Sequence, residues 1–244
     1  MVSVDTVYQR VLALSNKEQR GYIPPVKFNL FANQAQMDIF EQYFHDRSQF
    51  GRRNGNQTIV ADPIDIIEEK IALFHLYDRI ATIISSFGDV NINDDFDDFY
   101  RLQMVRVDYT DISGFKQAEH VSLQDLNAHS SSPLLKNNKT YPIYTNYGTP
   151  TGNNRLKVYP YPDQDTERVL VSYIRKPSLV QWNGVNASGN LVYGGNGTDF
   201  ELHISEETKL VVKILQLAAI AMKDPGLLAI ASREDIKNIQ QEKQ

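Results

Sequence analysis

At 244 residues the chain is long enough to bury a core without covalent staples, and 41% hydrophobic with 23% charged residues is an ordinary globular composition. The 25 Lys plus Arg against 30 Asp plus Glu give a net charge of -5, which argues against a generally basic nucleic-acid or anionic-membrane binder. With no cysteine, disulfides, thiol nucleophiles and thiolate metal sites are excluded, so stability must come from packing and hydrogen bonds.

The first residues, MVSVDTVYQR, have no charged segment ahead of an apolar stretch, so they read as mature sequence and imply assembly in the cytoplasm. Val4, Val7, Tyr8, Val11 and Leu12 share one helical face, with Ser3 as N-cap, and predict a helix that closes near Ser15. After a turn at Gly21, Pro24-Pro25 can open a second helix, because proline suits a first turn. Its apolar stripe of Phe28, Phe31, Ala32, Ala35, Ile39 and Tyr43 is broadened by Met37, Phe40 and Phe44, so it needs cover on more than one side. A polar loop around Arg52-Arg53 follows, and Asp62-Pro63 predicts the start of a short helix to about Leu73.

From about Ile80 the pattern changes to alternation with β-branched and aromatic residues. Strands are expected within TIISSFGDVNI and FYRLQMVRVDY, then at Phe115–Val121, Tyr141–Tyr147, Arg155–Tyr161, Val169–Arg175, Asn190–Tyr193 and Phe200–Ile204. One helix, capped by Ser122, interrupts them at SLQDLNA, and NGVNASGN reads as a turn. Ser205 is the expected cap of a strong final helix, with Glu206 and Glu207 where the helix dipole favours acids and Lys223-Asp224-Pro225 at its end. The apolar run Leu210–Met222 is broken by Lys213 and Gln216 and is too short to cross a bilayer.

This order predicts an α+β protein whose N- and C-terminal helices pack together as a helical base, with an antiparallel β-rich domain inserted between them. The boundaries are 1–78 and 205–244 for the base and 79–204 for the insertion, with 226–244 as a mobile or neighbour-contacting tail.

Signals for chemistry are sparse. His45, His75, His120, His129 and His203 show no ligand spacing, and neither a nucleophile elbow nor a P-loop occurs. Asp89, Asn91 and Asn93 imitate the first positions of a calcium loop, but Asp94 stands where the loop needs glycine and Tyr100 where it needs a bidentate acid. No catalytic residue, cofactor or metal is therefore expected. The 13 Tyr could serve as sugar-stacking platforms, although strand packing is the commoner use.

The segments RGYIPPVKFNLFANQAQMDIFEQYF, YPIYTNYG, NNRLKVYP, VLVSYIRKPSLVQW and ETKLVVKILQLAAIAMKDP, spanning about Arg20 to Pro225, together resemble a family of head-to-tail structural proteins of crAss-like and related phages of Bacteroidetes. These are ring or tail-adaptor proteins below the portal. Pro24 departs from the small polar cap that related sequences favour. The resemblance implies a virion neck subunit that forms a twelvefold ring with itself and contacts the portal and other neck or tail rings. It implies helical termini near the ring body, a β domain facing neighbours or the tail, and no catalytic residues. Passing genomic DNA would not be bound specifically, and the run Asp94, Asp95, Asp97 and Asp98 is the candidate DNA-repelling lumen surface. A rival expectation is a β-rich carbohydrate- or receptor-binding tail module.

Overall fold

Val4, Val7, Tyr8 and Val11 recur at helical spacing along α1 (Val4–Ser15), and all four are buried, as the periodicity requires. The computed structural model describes residues 1–15, 23–51, 57–132, 137–150, 154–187, 190–222 and 225–242. The expected turn at Gly21, the loop at Arg52-Arg53 and the helix end at Lys223-Asp224 lie outside the described residues. The protein is mixed α+β, and its described residues divide into two compact units, Met1–Leu73 with Pro177–Gln244, and Phe74–Lys176.

In the first unit, α2 (Pro25–Gly51) buries Phe28, Ala32, Ala35, Ile39, Phe40 and Tyr43. It meets both α3 (Gln57–Ala72) and α5 (Glu207–Met222), which is the two-sided cover its broad apolar surface demands. Helix α5 also contacts α1 and α6 (Pro225–Glu242), so helices from both chain ends share one core.

Three local expectations need correction. Helix α3 begins at Gln57, so Asp62 and Pro63 lie in its second turn; a cap-like pair does not set a boundary by itself. Ser205 sits inside a 3-10 turn, Ile204–Glu206, whose cap is the His203 ring nitrogen accepting from the Ser205 N–H at 3.3 Å. Phe200–Ile204 is not a strand: Phe200 and Leu202 are buried alternately, but Phe200 forms only an isolated antiparallel bridge with Val2.

Trp182 organises this unit. It is buried, its indole N–H donates to Asp5 at 2.9 Å, and its ring packs at a tilt against Tyr8 at 4.5 Å, which in turn meets Phe28 at 4.6 Å. The hairpin of β8 (Gly184–Ala187) and β9 (Asn190–Tyr193) follows directly. Beneath the 3-10 turn, buried Glu206 pairs with Lys70 and lies 3.9 Å from Lys209.

The second unit is one sheet of seven strands: β1 (His75–Ala81), β2 (Asp89–Asn91), β3 (Phe99–Asp108), β4 (Lys116–His120), β5 (Ile143–Gly148), β6 (Asn154–Tyr159) and β7 (Arg168–Arg175). Their order is β1-β7-β3-β4-β5-β6-β2. Just beyond β1 the chain bonds β2, through the Asn91 N–H to the Thr82 carbonyl at 3.0 Å and the Ile84 N–H to the Asp89 carbonyl at 2.7 Å. The sheet thus curls until its two edges meet, which removes most unpaired edge. Val105, Val107, Leu156, Val158, Val169, Val171 and Tyr173 fill its interior by simple alternation.

The sheet is not wholly antiparallel as expected. Strands β4 and β5 pair in parallel, which the long connection through α4 (Leu123–Ser131) permits and a tight hairpin would not. Ser122 caps α4 as predicted, its hydroxyl accepting from the Asp125 N–H at 3.2 Å.

Candidate functional site

The acidic run predicted from sequence lies in the second unit just after β2. Its members do unequal work. Asp94 accepts from the Asn91 amide at 2.8 Å, Asp95 from the Thr82 N–H at 2.6 Å, and Asp98 from the Tyr173 hydroxyl at 2.8 Å. Asp94, Asp95 and Asp97 are exposed and Asp98 is partly buried, so the run presents negative charge while three of its carboxylates also fix the turn. Asp89, the first position of the imitated calcium loop, accepts from Tyr147 at 2.8 Å and from Ser85 at 2.6 Å. Among the described residues no group of three or more His, Asp or Glu is placed to hold a metal ion.

A polar cleft of about 620 Å³ opens in the same unit, walled by segments far apart in sequence: Ser86, Thr110-Asp111, Lys139 and the 161–167 turn. Its floor is Glu167, only 6% exposed, whose carboxylate accepts from the Asp163 N–H at 2.8 Å, Lys139 at 3.2 Å and the Thr110 N–H at 3.4 Å. Lys139 also pairs with Asp111, an interaction that holds the Asp111 carboxyl below the usual range and raises Lys139 above the usual amine. Burial, and then the Glu167 charge, push the Tyr109 phenol up, and its hydroxyl donates to the Pro160 carbonyl at 2.8 Å. These acids are engaged in holding backbone and a lysine in place.

At the cleft mouth, Tyr161 meets Phe87 edge-on at 6.2 Å and Tyr159 at 5.2 Å, and Lys157 stands 5.8 Å from the Tyr161 ring. Phe87 is 62% and Tyr161 45% exposed. The sequence places Tyr161 in a strand, but β6 ends at Tyr159, which releases the ring onto the surface.

In the first unit the polar feature is an amide ladder. Asn29 accepts from the Trp182 N–H at 2.8 Å and donates to its carbonyl at 3.3 Å. Asn33 does the same to Val180 at 2.7 and 3.0 Å, and Gln36 donates to the Ser178 carbonyl at 2.8 Å. The other edge of this extended segment pairs Gln181 with Thr198. Amides at i, i+4 and i+7 on an apolar helix were the available signal for a polar seam, one the apolar stripe alone does not convey. Beside this seam Val26, Leu30 and Leu179 stand 74%, 67% and 78% exposed.

No known protein-family model matches the chain, and no curated protein is similar to it in sequence. Among the described residues no helix is long and apolar enough to cross a membrane.

Proposed function

We propose that the chain is a ring-forming structural subunit of a tailed-phage virion, a connector between portal and tail, and not an enzyme. The observation that carries this is the exposure of the large apolar side chains Val26, Leu30 and Leu179 in the first unit. Removing each such side chain from water is worth about 1 to 2 kcal/mol, a gain a neighbouring copy can supply. The resemblance of the segments between Arg20 and Pro225 to phage connector proteins favours the same reading.

In this reading the unit built from both chain ends is a helical base, the sheet between Phe74 and Lys176 is an inserted domain, and repeated copies associate head to tail around a closed axis. The ring is twelvefold, sits in the virion neck after assembly in the bacterial cytoplasm, and stacks on portal and other ring proteins. A net charge of -5 lets the genome slide through the ring without phosphate neutralisation. Asp94, Asp95, Asp97 and Asp98 are the surface assigned to the lumen. Asp97→Asn should leave assembly intact and slow DNA ejection; unchanged ejection would remove that assignment.

Native mass measurement on the purified chain, alone and mixed with portal protein, tests the function. A discrete closed oligomer in at least one mixture is expected. A monomer in both would overturn the reading.

A further inference from the structure

We propose that the cleft between the 85–89 turn and the 160–167 turn is a binding site for a neutral saccharide. This goes beyond the ring function and stands or falls separately from it.

A sugar presents an apolar face of C–H groups and a periphery of hydroxyls, so its site needs an exposed aromatic ring beside dense hydrogen-bonding groups. Both occur here. Tyr161 and Phe87 hold large aromatic surfaces in water and meet edge-on at 6.2 Å. Gly88 has φ +75°, and a Cβ there would stand 2.8 Å from Tyr161 Cδ1 and 2.4 Å from the Val158 carbonyl oxygen. Only glycine allows the ring to lie this close to the turn. Lys157 stands 6.0 and 5.8 Å from the two rings and further restricts them.

The polar half is equally prepared. Residues from four separate segments wall the cleft, and the buried Glu167 fixes three of them through Thr110, Lys139 and Asp163. These three groups are held in place by Glu167 without a ligand, which lowers the entropic cost of binding. Asp165 is exposed at the cleft, where its carboxylate can accept from a pair of sugar hydroxyls. Gln164 lines the same wall.

Charge selects the class. Asp111, Asp163, Asp165 and Glu167 against Lys139 leave the lining three charges negative, so an anionic sugar or phosphate is repelled and a neutral one is not. The shallow, polar shape also disfavours an apolar ligand.

Saturation-transfer NMR on the full chain with maltotriose, lactose, N,N′-diacetylchitobiose and mannobiose, and with sialyllactose as the anionic comparison, tests the site. Transfer to ring C–H protons of at least one neutral saccharide is expected, with little to sialyllactose. Tyr161→Ala and Asp165→Ala should each weaken that binding about tenfold, while Tyr161→Phe keeps it within about twofold. Asp165 is exposed, so its variant serves even if Tyr161→Ala fails to fold. The proposal is overturned if none of the four neutral saccharides shows transfer, if sialyllactose binds equally well, or if binding survives Asp165→Ala unchanged in a folded chain.

Discussion

Replacing Asn33 with alanine isolates the seam between α2 and the segment that precedes the β8/β9 hairpin. Asn33 makes two hydrogen bonds to the backbone of Val180, at 2.7 and 3.0 Å, and Val180 is 2% exposed. Each bond is worth about 1 kcal/mol net, and a buried N–H and C=O left without partners add about 1 to 2 kcal/mol more. Asn33→Ala should therefore cost about 3 kcal/mol. Trp182 is the sole tryptophan and packs in the same unit, so its fluorescence in urea reports this unfolding directly. Gln34→Ala, which removes only an exposed bond to Asp38, is the control and should cost below about 0.5 kcal/mol. Equal midpoints for the two variants would refute the seam as a source of stability.

Three further outcomes are expected. Gly88→Ala forces a side chain into a left-handed backbone position and against the Val158 carbonyl, and calorimetry should show a loss of about 2 kcal/mol or more. Glu206→Gln removes the buried carboxylate that pairs with Lys70, and urea unfolding should show a cost of about 3 kcal/mol. Burial raises the phenols of Tyr109 and Tyr173 above the ordinary value of 10.0, so the folded state holds their protons where the unfolded chain loses them. Their contribution is complete below pH 10 and is lost as pH rises above it, so the melting temperature should fall through that range and Tyr109→Phe should reduce the slope. A melting temperature indifferent to alkaline pH would contradict this assignment.

Patterns that depend on neighbours in sequence were readable. The α1 face, the broad stripe of α2, the Ser122 cap and the alternation of β3 and β6 follow from side-chain period alone, and β7 is legible as a β-branched and aromatic run that is buried from Val169 to Ile174. Strand β8 was not readable, because GVNA has the Gly and Asn of a turn and gains its strand pairing from β9. The parallel pairing of β4 and β5 depends on the path of the intervening chain, which no periodicity encodes. The cleft was hidden for the same reason: Ser86, Thr110, Lys139 and Glu167 meet only after the sheet has curled. The acidic run was visible as charge, but its bonds to Thr82 and Tyr173 needed the fold.

Sedimentation velocity of the wild-type chain and a Val26→Lys, Leu30→Lys double variant, each with and without portal protein, tests self-association most directly. Both side chains are largely exposed in a single copy, so the variant should fold with an unchanged melting profile. The wild type should form one discrete oligomer and the variant should remain a folded monomer. Identical distributions for the two chains would contradict the α2 flank as the ring contact.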